Sequence, residues 1–191
     1  MREIELKSVV DDWEGRQARL RAAGAQLVFA GTLIDKRYDT VDRSLDARDC
    51  VLRLRVQQDA EHVRTKLDWK GPTSYDAGYK VREEISLRVE DPAVAAELLE
   101  RLGYVATLEI EREIVVYDLD GAVVRFERYP RMDDLVEVEG EPDAIERAVK
   151  ALGMPRGGFT PDRLADFARR YEERTGEKAA LRGREAAEGQ R

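Results

Sequence analysis

Glu3-Ile4-Glu5-Leu6-Lys7 alternates charged and apolar side chains with period two. That is the pattern of a β-strand, in which successive side chains point to opposite faces. Glu3, Glu5 and Lys7 share one face; Ile4 and Leu6 share the other. Two carboxylates one pleat apart repel each other, which is tolerable in water or around a hard cation that takes oxygen ligands. Alone, such a strand reads as a solvent face over a core. Its recurrence along the chain changes the reading.

Period-two segments fall at 2–9, 26–40, 49–58, 62–70, 79–89, 104–119, 122–129 and 134–140, which predicts about eight strands. Their charges are sorted by type. Val51-Leu52-Arg53-Leu54-Arg55-Val56 puts both arginines on one face. Arg64, Lys66, Asp68 and Lys70 oppose Leu67 and Trp69. Lys80, Arg82 and Glu84 share a face, and Glu137 and Glu139 oppose Val136 and Val138. Acid pairs lie near the ends of this set and bases in the middle. If the sheet closes with these faces inward, paired acids meet an array of bases. Such a lumen is prohibitively costly when dry and unpaired, and reasonable when filled by water, a divalent metal and a polyanion. Closure also removes exposed edges. The expected fold is therefore α+β, with about eight antiparallel strands in a closed or nearly closed barrel flanked by helices.

Four helices are expected. Asp11-Asp12 caps one that runs to Gly24, with Trp13 and Leu20 on one face. Asp91-Pro92 opens a second, with Leu98, Leu99 and Leu102 inside and Gly103 as its stop. Glu141-Pro142 opens a third over Ile145, Val149 and Leu152. Thr160-Pro161 caps a fourth with the stripe Leu164, Phe167, Tyr171 and a stop at Gly176. Residues 176–191 are rich in charge, Ala and Gly and read as a mobile tail in which Arg182 and Arg184 are solvated, behind a tunnel domain at 1–175.

The 191 residues suit one domain plus a tail. The chain is 38% charged, well above the usual quarter, with a formal net charge of −7. That balance argues against a nucleic-acid partner while leaving room for a local basic site. One cysteine, Cys50, permits no internal disulfide and suits a reducing cytoplasm; beside Val51-Leu52 it reads as a small buried hydrophobe. The single histidine, His62, sits in a polar turn, so a serine-histidine triad or a histidine-rich zinc site is not expected. No apolar run is long enough for a membrane span, and no signal-peptide core is seen at the N-terminus. Oxygen ligands favour Mg²⁺ or Mn²⁺ over Zn²⁺. Without a Walker loop, phosphate contacts must come from side chains.

The ordered set Glu3-x-Glu5-x-Lys7, Asp35-x-x-Tyr38-Asp39, Arg53-x-Arg55, Lys70-Gly71-Pro72, Arg82-Glu83-Glu84 and Glu137-x-Glu139 resembles the CYTH domain of the triphosphate tunnel metalloenzymes. That family includes class IV adenylyl cyclases, thiamine triphosphatases and inorganic triphosphatases. The resemblance covers roughly residues 1–140 and implies an eight-stranded antiparallel closed tunnel barrel with a polar interior, flanked by helices. It implies that Glu3, Glu5, Glu137, Glu139 and Glu127 form the metal side. Lys7, Arg53, Arg55, Lys70, Arg82, Arg112 and Arg125 would bind the triphosphate, with Lys7 and Glu5 at the chemistry. Ile110 stands where the family often has lysine, and Glu127 where it often has aspartate. The implied function is a divalent-metal-dependent phosphohydrolase acting on a nucleoside triphosphate or other triphosphate. The alternatives are a class IV adenylyl cyclase and a non-catalytic triphosphate-binding module. The expected partner is a triphosphate-containing small molecule, for a monomer or homodimer.

Overall fold

A computed structural model describes residues 2–183 of the chain. Eight strands close into an antiparallel barrel: β1 (Arg2–Val9), β2 (Gln26–Thr40), β3 (Val51–Gln58), β4 (Val63–Lys70), β6 (Tyr79–Val89), β7 (Tyr104–Leu119), β8 (Ala122–Arg128) and β9 (Leu135–Glu139). Around the ring the order is β1-β9-β8-β7-β2-β3-β4-β6, and β6 returns to β1 through Glu3↔Arg82 and Glu5↔Lys80. Each period-two segment became a strand with ends within two residues of those expected. The short β5 (Ser74–Asp76) was not anticipated: the Gly71-Pro72 turn leads into a hairpin on the start of β6.

Helices cover the apolar outer face. In α1 (Trp13–Ala22), the Asp12 carboxylate accepts from the Gly15 N–H at 3.0 Å. In α3 (Pro142–Leu152), Ile145, Val149 and Leu152 are buried. Together these helices seal Ile4, Leu6, Val124, Phe126, Val136 and Val138 into the main core. Trp13 meets Phe126 edge-on with centroids 5.5 Å apart, and the Arg128 guanidinium lies 4.2 Å from the Trp13 ring centre.

Helix α2 (Pro92–Arg101) covers Tyr38 and Leu54 on the far side, using Ala95, Ala96 and Leu99. Leu98 and Leu102 were expected inside but are 58% and 65% exposed. The small Ala95 and Ala96 bring the helix down on a face that leaves those two leucines outward.

The fourth helix also departs from expectation. It starts later, as α4 (Leu164–Thr175), where the Asp166 carboxylate accepts from the Arg163 N–H at 3.1 Å. Thr160 instead exchanges backbone hydrogen bonds with Lys7, extending the ladder where β6 has left β1. Residues 178–182, which the sequence reading placed in a tail, lie against the barrel. Ala180 is fully buried and pairs with Arg131, the Leu181 carbonyl accepts from the Glu111 N–H, and Arg182 bonds Glu109 at 3.0 Å. Arg184 falls outside the described residues.

The inner face is not uniformly polar. Leu33, Ile114 and Val123 lie on the same faces as Asp35, Arg112 and Arg125, two residues along each strand. With Phe29 and Val116 they form an apolar layer at one end of the barrel. At the other end, Ile110 and Tyr129 pack with Leu135, Phe167 and Leu164, so α4 sits against that mouth.

Candidate active site

Between those two layers is a cavity of about 300 Å³. Ten lysine and arginine side chains line it against six aspartates and glutamates. The lining is thus net positive by four in a chain whose net charge is −7.

The acid side comes from neighbouring strands: Glu5 pairs with Glu139, and Lys7 with Glu137, in the β1–β9 ladder. Each acid but one is matched by a base reaching across. Lys70 Nζ lies 2.5 and 2.6 Å from the two Glu3 oxygens. Lys80 Nζ donates to Glu5 at 2.6 Å, and Lys7 donates to Glu5 at 3.2 Å. Lys7 and Arg125 both donate to Glu137. The exception is Glu139, half-buried and without an ion pair among the described residues. Burial raises its pKa first, and the Glu3 and Glu5 carboxylates add to the rise, while Arg125 opposes it.

The basic side is organised around Asp35. Arg55 grips it with two nitrogens at 2.7 and 2.9 Å, and Arg112 adds a bond at 3.0 Å. Arg112 also donates to Glu127 at 3.0 Å, whose second oxygen accepts from the Tyr129 hydroxyl at 2.8 Å. Arg53 is held by Asp68 at 2.9 Å, and Ser86 donates to the same acid. Arg82 spends its guanidinium on the carbonyls of Gly71 and Asp49, each at 2.7 Å.

These pairings set the charge states. Burial would raise Asp35, Glu5 and Glu127, but the surrounding cations outweigh it. Asp35 and Glu5 stay well below the carboxylate range, and Glu127 is brought down to about 2. Lys7 is pulled down from its ordinary value, chiefly by burial, with Lys80 and Arg125 adding to the fall against the Glu5 and Glu127 carboxylates.

Every residue singled out for metal or triphosphate therefore faces the lumen, although Glu3 and Glu139 stand just outside the cavity lining itself. Sequence reasoning left four lumen residues without a role: Asp35, Arg37, Asp68 and Lys80. Strand parity carried the signal for Asp68 and Lys80, which share a face with Lys70 and Arg82; Asp35 and Arg37 share a face with each other on β2, where no residue had been singled out for metal or triphosphate. Arg163, at the mouth and 2.8 Å from Asp49, had no local signal because α4 is brought there only by the fold. Cys50, expected to be a buried hydrophobe, is half-buried and lines the cavity. Asp49 before it adopts a left-handed φ of 54°, which turns the β2–β3 connection along the rim. Tyr38 and Tyr79 are packing residues on the outer face, as expected of single strand aromatics. His62 lies in the β3–β4 turn.

Fold and site together define an antiparallel tunnel protein with a charged lumen. The chain belongs to the CYTH domain family, whose description matches residues 1–150. A protein of Methanocaldococcus jannaschii, provisionally named an adenylate cyclase, is 24% identical over 166 residues, which is 82% of this chain and 92% of that one. Among solved structures, a provisionally named adenylate cyclase of Vibrio parahaemolyticus superposes with a TM-score of 0.74 at 18% identity, covering 86% of this chain and 96% of that one. A Hippeastrum protein, provisionally an adenylyl cyclase and described as having a dominant triphosphatase activity, superposes with a TM-score of 0.64 at 20% identity, covering 94% and 98%. At these identities the superpositions establish the shared fold.

Proposed function

We propose that the chain is a divalent-metal-dependent enzyme that binds a triphosphate in the barrel lumen and hydrolyses it. The observation that carries this reading is the cavity itself: a net-positive lining inside a net-negative chain, with a strip of carboxylates on β1 and β9. Phosphoryl transfer depends mainly on positioning and charge neutralisation, and this wall supplies both.

The donor set fits a hard cation. Only carboxylate oxygens are offered, and Glu139 is crowded by two acids that a cation would relieve. As arranged, no three acid, histidine or cysteine side chains converge on one point among the described residues. Glu3, Glu5 and Glu137 each face an amine or guanidinium. Holding Mg²⁺ or Mn²⁺ on Glu3, Glu5, Glu137 and Glu139, with Glu127 next on β8, therefore requires an exchange of partners: the phosphates take over Lys70, Lys80, Lys7 and Arg125. When bound, the metal would neutralise phosphate charge and lower the pKa of water. Lys7, between Glu5 and Glu137 and easier to deprotonate than an ordinary lysine, would stand at the junction of acids and phosphates. Arg53, Arg55, Lys70, Arg82, Arg112 and Arg125 would clamp phosphate oxygens.

Cyclisation of ATP is the second reading, favoured by the provisional name of the Methanocaldococcus relative. The test is a panel of nucleotides and polyphosphates with Mg²⁺ or Mn²⁺, products separated by chromatography. Orthophosphate, lost in Glu5→Ala, supports hydrolysis; cyclic AMP with pyrophosphate replaces it by the second reading. Metal-linked binding without product would reduce the chain to a triphosphate-binding module.

A further inference from the structure

Arg37 is the lumen cation with no protein partner among the described residues. It lies on β2, two residues beyond Asp35 on the same face, and lines the cavity. Its Nε is buried without a hydrogen-bond acceptor. Every other lysine or arginine lining the cavity has a carboxylate or a backbone carbonyl. Asp35, the nearest acid on its own strand, is already shared by Arg55, Arg112 and Arg53.

Its neighbours make the position worse for a cation. In the β2–β3 ladder Arg37 stands directly opposite Arg53. Like charges directly opposite on one face destabilise a sheet. The β2–β7 register also slips here, from Arg37↔Leu108 to Tyr38↔Ala106. Such bulges re-aim side chains and gather beside active sites. On the outer face of the same strand, Lys36 lies 5.5 Å from the Tyr38 ring centre, so the unmet requirement belongs to Arg37 and not to the strand.

A guanidinium held in this way destabilises the ligand-free protein unless an anion arrives. We propose that Arg37 is a substrate-binding residue of the tunnel: with Arg53 it forms a phosphate cradle on the α4 side of Asp35, about 6.6 Å along the strand from the Arg55–Asp35 pair. The inference rests on the triphosphate reading of the lumen and extends it. It gives the mouth end a second phosphate contact, so a linear triphosphate is held along its length and not only at the Asp35 cluster.

The experiment is calorimetric titration of the full chain with sodium tripolyphosphate at fixed Mg²⁺, with thermal unfolding of each variant free and loaded. Arg37→Gln is expected to weaken binding roughly tenfold to a hundredfold, the usual worth of a hydrogen bond to a charged group. Arg37→Lys should recover part of the loss, because it keeps the charge without the fork. Lys36→Gln should bind as the parent does. The ligand-free Arg37→Gln protein should melt at the same temperature as the parent or higher, since an unpaired cation has been removed. Undiminished binding by Arg37→Gln, while the parent binds, overturns this inference alone. A clear drop in the ligand-free melting temperature assigns Arg37 a structural role and overturns it as well. No binding by the parent overturns both this inference and the function on which it rests.

Discussion

The two faces of β1, β8 and β9 obey opposite rules. Outward, Leu6, Val124, Phe126, Val136 and Val138 are fully buried under α1 and α3 in a dry core. Inward, Lys7, Arg125, Glu127 and Glu137 are nearly as inaccessible, yet all are charged. The outer face follows ordinary hydrophobic burial. The inner face holds charges that are compensated only in pairs, at the cost of desolvating each member. The same backbone thus carries a dry apolar core on one side and a paired, charged lumen on the other.

The largest expected effect tests the outer face. Phe126→Ala removes a ring in edge contact with Trp13 and Tyr117 and should cost about 3–5 kcal/mol in urea unfolding. The fraction that remains folded should bind tripolyphosphate as before. A selective loss of binding in that fraction would blur the division between the faces.

Next comes the centre of the inner face. Asp35→Asn takes from Arg55 its carboxylate partner and leaves Arg53 with Asp68 and Arg112 with Glu127, and should cost about 2–4 kcal/mol. Unlike Phe126→Ala, this variant should show a larger rise in melting temperature with tripolyphosphate than the parent. An equal rise in both would mean that anions do not take over those arginines.

Acid should act mainly through the inner face. Glu127 titrates at about 2 in the fold against an ordinary 4.5, and Asp35 and Glu5 are also depressed. A carboxylate with a lowered folded pKa contributes stability above its unfolded value and loses it as pH falls through the folded one. Melting temperature should therefore fall between about pH 4.5 and pH 2. Glu127→Gln should flatten that fall, and an unchanged profile would show that its charge is not held by Arg112.

The smallest effect lies on the surface. Arg101→Gln breaks an exposed pair with Glu97 and should change stability by about 0.3 kcal/mol, which added salt abolishes. The contrast with Asp35 measures what burial adds to one ion pair.

Much of this was legible because strand parity is local. Glu3 and Glu5, Arg53 and Arg55, Glu137 and Glu139 announce a common face without any partner being known. The same rule applies to Arg37 and Lys80, but their chemistry depends on who stands opposite, which no single strand records. Ile110 shows the limit. In sequence it is a missing lysine; in the fold it is part of an apolar layer with Tyr129, Leu135 and Phe167. Leu98 and Leu102 of α2 show it again, because an apolar stripe does not say which edge of it meets the sheet.

The sequence by itself determined the strands, three of the four helix starts and the charge-sorted face, since alternation, capping and glycine stops act over a few residues. Only the tertiary structure decided that β6 returns to β1, that Glu3 meets Lys70 and Asp35 meets three arginines, and that Arg37 meets no acid among the described residues. Those are contacts between residues far apart in the chain, and closing the barrel is what brings them within reach of one another.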